Sequence, residues 1–152
     1  MNMLNELKNL TPAEIELLIK APVYVAVLAA ISDDATVDKY EKADAIKLAH
    51  LRTFTSTPLL HDYYKEVDHV FATTFEEVME TMPRGIDKQT AWLKAELQKL
   101  NAVFEKLPAY FSMEIIKSLR TFADHVFRVN NGVLQYLVLP VVLNEIEKKI
   151  VF

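Results

Sequence analysis

The scarcity of glycine is the feature that most constrains how this chain can fold. Only Gly85 and Gly132 occur among its 152 residues, whereas about 7% glycine is usual for a globular domain. Glycine supplies the positive-φ conformations of tight turns, so few hairpins are expected and long helices with short connections are favoured. No segment alternates apolar and polar residues for long enough to predict a strand. The sequence therefore predicts an all-α fold.

Apolar residues recur at helical spacing along most of the chain. The first helix has a capping box, because Thr11 and Pro12 are followed by Glu14 at the third helical position. Pro22 is expected to end that helix, since proline lacks a backbone donor, and a second, apolar helix then runs over 22–31. Further helices are predicted at 38–54, 58–81, 87–107, 109–129 and 144–152. We expect a single compact domain of about seven helices spanning residues 1–152.

Composition and charge exclude several classes of protein. The absence of cysteine excludes a disulfide scaffold and a thiolate metal site. A net charge of −4 gives no basic patch, so no nucleic-acid partner is expected. The two most apolar runs, 21–31 and 133–143, are shorter than the roughly 20 residues that a membrane-spanning helix needs. With no signal-peptide pattern at the start, we expect no membrane span and a cytoplasmic location.

An acidic segment separates the second predicted helix from the third. Residues 32–41 contain Asp33, Asp34, Asp38 and Glu41, and oxygen ligands in a loop between helices suit Ca²⁺ or Mg²⁺. Helix capping is the competing interpretation, because Asp38 and Glu41 form a capping-box pair and acidic residues favour helix N-termini. The pattern alone leaves both interpretations open.

This acidic segment resembles the first corner motif of the TerB-like family, which is associated with tellurite resistance. Asp34, Val37 and Glu41 match the Asp-Gly-x-Ile-x-x-x-Glu pattern of that family. Ala35 stands where the family has glycine, and a side chain is unfavourable where a turn needs positive φ.

A second corner of the chain resembles, more loosely, the pattern found in the second half of proteins of the same family. Asn131-Gly132 matches its small-residue turn, and Asn144-x-x-Glu147 matches its polar cap followed by glutamate. The resemblance implies an all-α fold with a pseudo-twofold repeat, in which acidic residues of both corners form a divalent-cation site. The candidate metal ligands are Asp34, Glu41, Asp33, Asp38, Asn131 and Glu147.

The resemblance also implies a stress-associated protein that is not an enzyme. We expect such a module to act through protein partners. Ca²⁺ or Mg²⁺ is the implied cofactor. The alternative is a metal-free structural or protein-interaction module, in which the acidic corner is only a capped turn. Nucleophilic catalysis has no motif here, because there is no cysteine and no Gly-x-Ser-x-Gly elbow.

One further spacing is typical of a metal site. Glu66 and His69 form a Glu-x-x-His pair, which di-iron carboxylate bundles use in two copies. The only comparable histidine, His125, has Phe122 three residues before it. We therefore interpret Glu66 and His69 as part of a solvent-exposed face and keep an enzyme built on them as the remote alternative.

Aromatic residues are frequent in the predicted helices. A helical core is the favoured interpretation, because large aromatic side chains dominate protein cores. A ligand cavity and a homodimer surface are the alternatives, since aromatic residues are also enriched at interface centres. The residues concerned are Tyr63, Tyr64, Phe71, Phe75, Trp92, Phe104, Tyr110 and Phe111.

Overall fold

The fold is that of a computed structural model, which describes residues 4–33 and 39–127. These ranges contain helices and no strand, which confirms the predicted all-α class. The helices are α1 (Leu4–Leu7), α2 (Pro12–Asp33), α3 (Lys39–Thr55), α4 (His61–Thr81), α5 (Ile86–Gln98), α6 (Leu100–Lys106) and α7 (Ala109–Phe127), with a 3₁₀ turn at Pro58–Leu60. Over the described ranges, no helix has both the length and the apolar character that crossing a membrane requires.

The helix boundaries agree with the prediction in part. The predicted helix 87–107 is two helices, because the Lys99 amide bonds to the Glu96 carbonyl at 3.3 Å and α6 begins at the next residue. The last predicted helix, 144–152, lies outside the described residues. The count of about seven helices and the pseudo-twofold repeat therefore stay predictions.

The start of α2 confirms the predicted capping box. The Thr11 amide donates to Glu14 Oε1 at 2.9 Å, and the Glu14 amide donates to Thr11 Oγ1 at 3.2 Å. The predicted break at Pro22, however, is wrong, because α2 continues through it to Asp33.

A contact from another helix explains why Pro22 is tolerated inside α2. A residue at position 22 would normally donate its backbone N–H to the Leu18 carbonyl, and proline cannot. The Tyr63 hydroxyl donates to that same carbonyl oxygen at 2.8 Å. The acceptor left by the proline is therefore satisfied inside the core, where an unpaired carbonyl is costly.

The apolar part of α2 is the centre of the domain. Every residue from Ala21 to Ile31 is buried, as predicted for an enclosed helix. α2 packs against α4, α5, α6 and α7, so these four helices surround it.

α3 and α4 are antiparallel neighbours. Lys42 near the start of α3 pairs with Glu76 in the second half of α4. Arg52 near the end of α3 bonds to Tyr64 near the start of α4. This direction places the last turns of α3 beside the first turns of α4.

α4 and α7 run in the same direction. Tyr64 hydrogen-bonds to Ser118 of α7. Farther along both helices, Phe71 of α4 lies against Phe122 of α7 with ring centroids 5.8 Å apart. The end of α3 is therefore close to the middle of α7 as well.

α2 also runs in the direction of α4 and α7. The start of α4 contacts Leu18 in the first half of α2, and Lys106, just before α7, pairs with Glu14 of α2 at 2.8 Å. The far end of α4 contacts the start of α3, which follows α2 after five residues. The carboxyl ends of α2 and α7 therefore lie toward the same end of the domain.

Most of the aromatic residues form the core, as predicted. Tyr63, Tyr64, Phe71, Phe75, Phe104 and Phe111 are buried in one apolar cluster with residues of α2, and Trp92 packs partly buried against it. Tyr110 is different, because it is exposed and donates its hydroxyl to Glu6 at 3.1 Å.

Candidate functional site

The acidic segment lies between two helices, since α2 ends at Asp33 and α3 begins at Lys39. Four of the six candidate metal ligands lie outside the described residues, as do the side chains of the other two, Asp33 and Glu41. Among the described side chains, no group of three or more acidic or histidine residues is arranged to hold a metal ion. The cation site at the corner stays a prediction.

The Glu-x-x-His pair does not assemble with further ligands in the described part of the chain. Glu66 and His69 are both exposed on α4, as predicted for a solvent-facing surface. The carboxylate between them, Asp68, contacts His50 Nδ1 of α3 at 3.0 Å. The side chain of His125 lies outside the described residues.

Arg52, which the sequence did not single out, is a buried cation. It lies in the last turns of α3, and only 9% of its surface is exposed. Cations are favoured near helix C-termini by the helix dipole. Because α3 is antiparallel to α4 and borders α7, the guanidinium reaches side chains of both helices.

Neutral oxygen atoms accept the hydrogen bonds of the Arg52 guanidinium. Its NH1 nitrogen donates to the Tyr64 hydroxyl at 3.1 Å and to the Ser118 carbonyl at 3.0 Å. NH1 also bonds to Ser118 Oγ, and NH2 donates to Thr121 Oγ1 at 3.0 Å. The guanidinium lies 5.4 Å from the ring centre of Tyr64 and 5.3 Å from that of Phe122, within reach of cation–π attraction.

The charge of Arg52 has no anionic partner in the described part of the chain. No described carboxylate forms an ion pair with it. Tyr64 does not act as a phenolate, because burial raises the pKa of its hydroxyl above the ordinary value, an effect that the nearby Arg52 charge only partly opposes. Buried charges are normally paired, so a buried guanidinium whose described acceptors are all neutral is unusual.

A cavity of about 410 Å³ opens beside Arg52. Its wall includes Arg52, Ser118 and Thr121, and the exposed Lys117 lies at the same wall. Ser56, which follows α3, also lines the cavity, and its buried Oγ atom has no hydrogen-bond partner in the described part of the chain. The cavity therefore combines positive charge with hydroxyl groups that can donate.

A second cavity, of about 370 Å³, has a different charge arrangement. Lys20 pairs with Glu16 at 2.9 Å, and Lys99 pairs with Glu96 at 2.9 Å. Glu14, at the same wall, pairs with Lys106. Because its charges are paired within the protein, this cavity offers a charged ligand less than the one at Arg52.

One signal in the sequence could have identified Arg52. Ala45 and Ala49 are fully buried, and Arg52 follows them by seven and three residues, which places it on the same helix face. An arginine in register with a buried stripe requires buried acceptors. No sequence motif indicates the partners of Arg52, because they lie on α4 and α7, at positions distant from Arg52 in the sequence.

Comparisons of the chain with protein families, with curated proteins and with solved structures found no match. Function is therefore inferred from the residues and their geometry.

Proposed function

We propose that this chain is a non-enzymatic, TerB-like helical module of the cytoplasm that is associated with a stress response. In this proposal it binds Ca²⁺ or Mg²⁺ at the acidic corner through Asp34 and Glu41, and it acts through protein partners. The observation that carries the proposal is the direction of the helices. α2 and α7 end toward the same end of the domain, and each leads toward one of the two corners that resemble the family.

The geometry gives a bound cation a physical role. The first corner follows Asp33 at the end of α2, and Asn131 comes four residues after Phe127, the last described residue of α7. Ca²⁺ takes six to eight oxygen ligands, more than one acidic corner readily provides. A cation held by both corners would join α2, α3 and α7 and would stabilise the folded state by mass action.

Thermal unfolding of the purified chain tests this proposal. The midpoint is measured in EDTA and then with Ca²⁺, Mg²⁺ and Zn²⁺ added separately. A ligand at 100 times its dissociation constant contributes about 2.7 kcal/mol, which raises the midpoint of a domain of this size by roughly 5–10 °C. We expect this rise with Ca²⁺ or Mg²⁺ and its loss in an Asp34→Ala, Glu41→Ala variant.

The matched control removes two acidic residues elsewhere. A Glu66→Ala, Glu80→Ala variant changes the net charge equally, and both residues are exposed on α4. The control is expected to keep the full response to the cation. A midpoint that no ion changes, or an equal rise in both variants, contradicts the cation site.

The alternative function is a metal-free structural or protein-interaction module, and one observation favours it. Phe54 is 72% exposed and Leu51, one helical turn away, is 43% exposed. The simplest partner is a second copy of the chain. Sedimentation of the chain and of a Phe54→Ser variant tests this, because a homodimer through this face dissociates in the variant.

A further inference from the structure

We propose that the cavity beside Arg52 binds a small ligand through a single oxyanion group, either a carboxylate or a phosphate. The site is formed by α3, α7 and the segment between α3 and α4. It is separate from the acidic corner, and it does not depend on the cation proposed there.

The first argument is the charge of Arg52. The guanidinium is buried, and its described partners are hydroxyl groups, a backbone carbonyl and two aromatic rings. Hydrogen bonds and cation–π contacts offset only part of the desolvation of an ion, whereas an anion of fitting geometry also restores the Coulomb attraction. An anion in the adjoining cavity is the partner that Arg52 lacks among the described residues.

The second argument is the supply of donors at the cavity wall. A guanidinium has five N–H groups, and the described bonds of Arg52 leave from NH1 and NH2. None of these bonds leaves from the Nε atom. The buried Ser56 hydroxyl adds a donor that has no partner among the described residues. Arginine and hydroxyl donors together are suited to carboxylate and phosphate oxygens.

The third argument limits the charge of the ligand. Arg52 and Lys117 contribute two positive charges to the wall and Glu114 contributes one negative charge, which leaves a net charge of +1 among the described lining residues. The negative charge of a polyphosphate would exceed the net positive charge of the lining, and Glu114 would repel it. A single oxyanion group fits it, and a volume of about 410 Å³ is at the lower end of the range of small-molecule sites.

The experiment follows the amide resonances of the ¹⁵N-labelled full chain during addition of phosphate, of acetate or of chloride at equal ionic strength. The chain is first dialysed against EDTA and then into metal-free buffer without EDTA, so that the cation proposal does not affect the result. We expect saturable shifts at Ser56, Lys117 and Ser118 with phosphate or acetate, and none with chloride. Saturation by one anion alone assigns the group as a phosphate or as a carboxylate.

Two variants test whether the shifts arise at this site. Arg52→Lys keeps the charge and loses the planar fork, so we expect affinity to fall roughly tenfold or more. Lys117→Glu changes an exposed residue and keeps the fold testable where Arg52→Lys does not fold. Its matched control is Lys88→Glu, which has the same net charge and lies exposed on α5.

The two charge reversals must differ if the proposal is correct. We expect Lys117→Glu to weaken binding at least fivefold and Lys88→Glu to leave it within twofold of the unmodified chain. If both variants weaken anion binding equally, the anion is attracted only by the overall charge of the protein, and the proposal is overturned. Shifts that never saturate, or that chloride reproduces, would overturn it as well.

Discussion

Tyr63 and Tyr64 are adjacent buried residues of α4 whose hydroxyl groups have different hydrogen-bond partners. Their rings pack edge to face with centroids 5.1 Å apart. Tyr63 donates to the Leu18 carbonyl of α2, whereas Tyr64 belongs to the polar cluster around Arg52. The first contact satisfies the carbonyl that Pro22 leaves without a donor in α2. The second involves a cation that has no anionic partner among the described residues.

The difference separates a structural polar group from a candidate binding site. The Tyr63 hydroxyl donates to the Leu18 carbonyl, so this donor is not available to a ligand. At Tyr64 the neighbouring guanidinium has further donor capacity and borders a cavity. Buried polar groups are usually satisfied, so surplus donors beside a cavity are the more informative observation.

The largest expected effect comes from removing the Tyr63 hydroxyl. In Tyr63→Phe the Leu18 carbonyl has neither a backbone donor from Pro22 nor a side-chain donor. A buried acceptor without a partner costs about 1–3 kcal/mol, so we expect a loss of this size in the free energy of unfolding. Urea denaturation measures it.

A double-mutant cycle tests the reason for that loss. Pro22→Ala restores a backbone N–H that can bond to Leu18, so it should recover about 1 kcal/mol more in the Tyr63→Phe background than in the unmodified chain. Strictly additive effects of the two substitutions would show that Tyr63 does not compensate for the proline.

Removing the Tyr64 hydroxyl is expected to cost less. In Tyr64→Phe the guanidinium of Arg52 keeps its bonds to Ser118 and Thr121, and water from the cavity can replace the lost acceptor. We expect a loss of about 0.5–1.5 kcal/mol, again by urea denaturation. A loss larger than that of Tyr63→Phe would mean that the Arg52 cluster is the more rigid of the two.

Alkaline pH sharpens the same comparison. Burial raises the pKa of Tyr63 well above its ordinary value, whereas the rise at Tyr64 is opposed by Arg52. Both hydroxyls therefore contribute stability that is complete below the unfolded pKa of about 10. This stability is lost as pH rises from there through the folded pKa.

We therefore expect the free energy of unfolding to fall above pH 10 in the unmodified chain. Tyr63→Phe should flatten this fall more than Tyr64→Phe does, because the Arg52 charge opposes the rise in pKa at Tyr64 and no cation opposes it at Tyr63 among the described residues. Urea denaturation at several values between about pH 8 and pH 11 measures both slopes. The reverse order of the two variants would contradict the roles assigned to the two hydroxyls.

The sequence predicted the features that depend on neighbouring residues. The Thr11–Glu14 capping box and the burial of residues 21–31 are local patterns, and both are confirmed. The break at Pro22 was wrong because the compensating donor, Tyr63, lies 45 residues after Leu18. A local rule for proline cannot include a donor from another helix.

The Arg52 cluster was not predicted for the same physical reason. Arg52 and Ser118 are 66 residues apart, and only the antiparallel packing of α3 on α4 and the common direction of α4 and α7 bring them together. The acidic corner, in contrast, was singled out because its four carboxylates lie within nine residues of sequence. Sequence patterns therefore favour sites with local ligands over sites assembled by packing.

The smallest expected effect concerns the second cavity, whose charges are paired within the protein. The hydrogen bond from Lys106 and the bond from the Thr11 amide lower the pKa of Glu14 below its ordinary value of 4.5. A lowered pKa in the folded state contributes stability that is present above the unfolded pKa and is lost as pH falls through the folded pKa. Glu14→Gln should therefore lose less stability below pH 4.5 than the unmodified chain does.

Lys106→Gln is the partner variant, since Lys106 Nζ lies 2.8 Å from Glu14 Oε2. It should reduce the acid dependence in the same way, measured by urea denaturation between about pH 3 and pH 7. If Glu14→Gln retains the acid dependence of the unmodified chain, Lys106 is not a firm partner of Glu14. The carboxylate of Glu14 would then be an unpaired charge at the wall of the second cavity, and the distinction between paired and unpaired cavities would no longer favour Arg52.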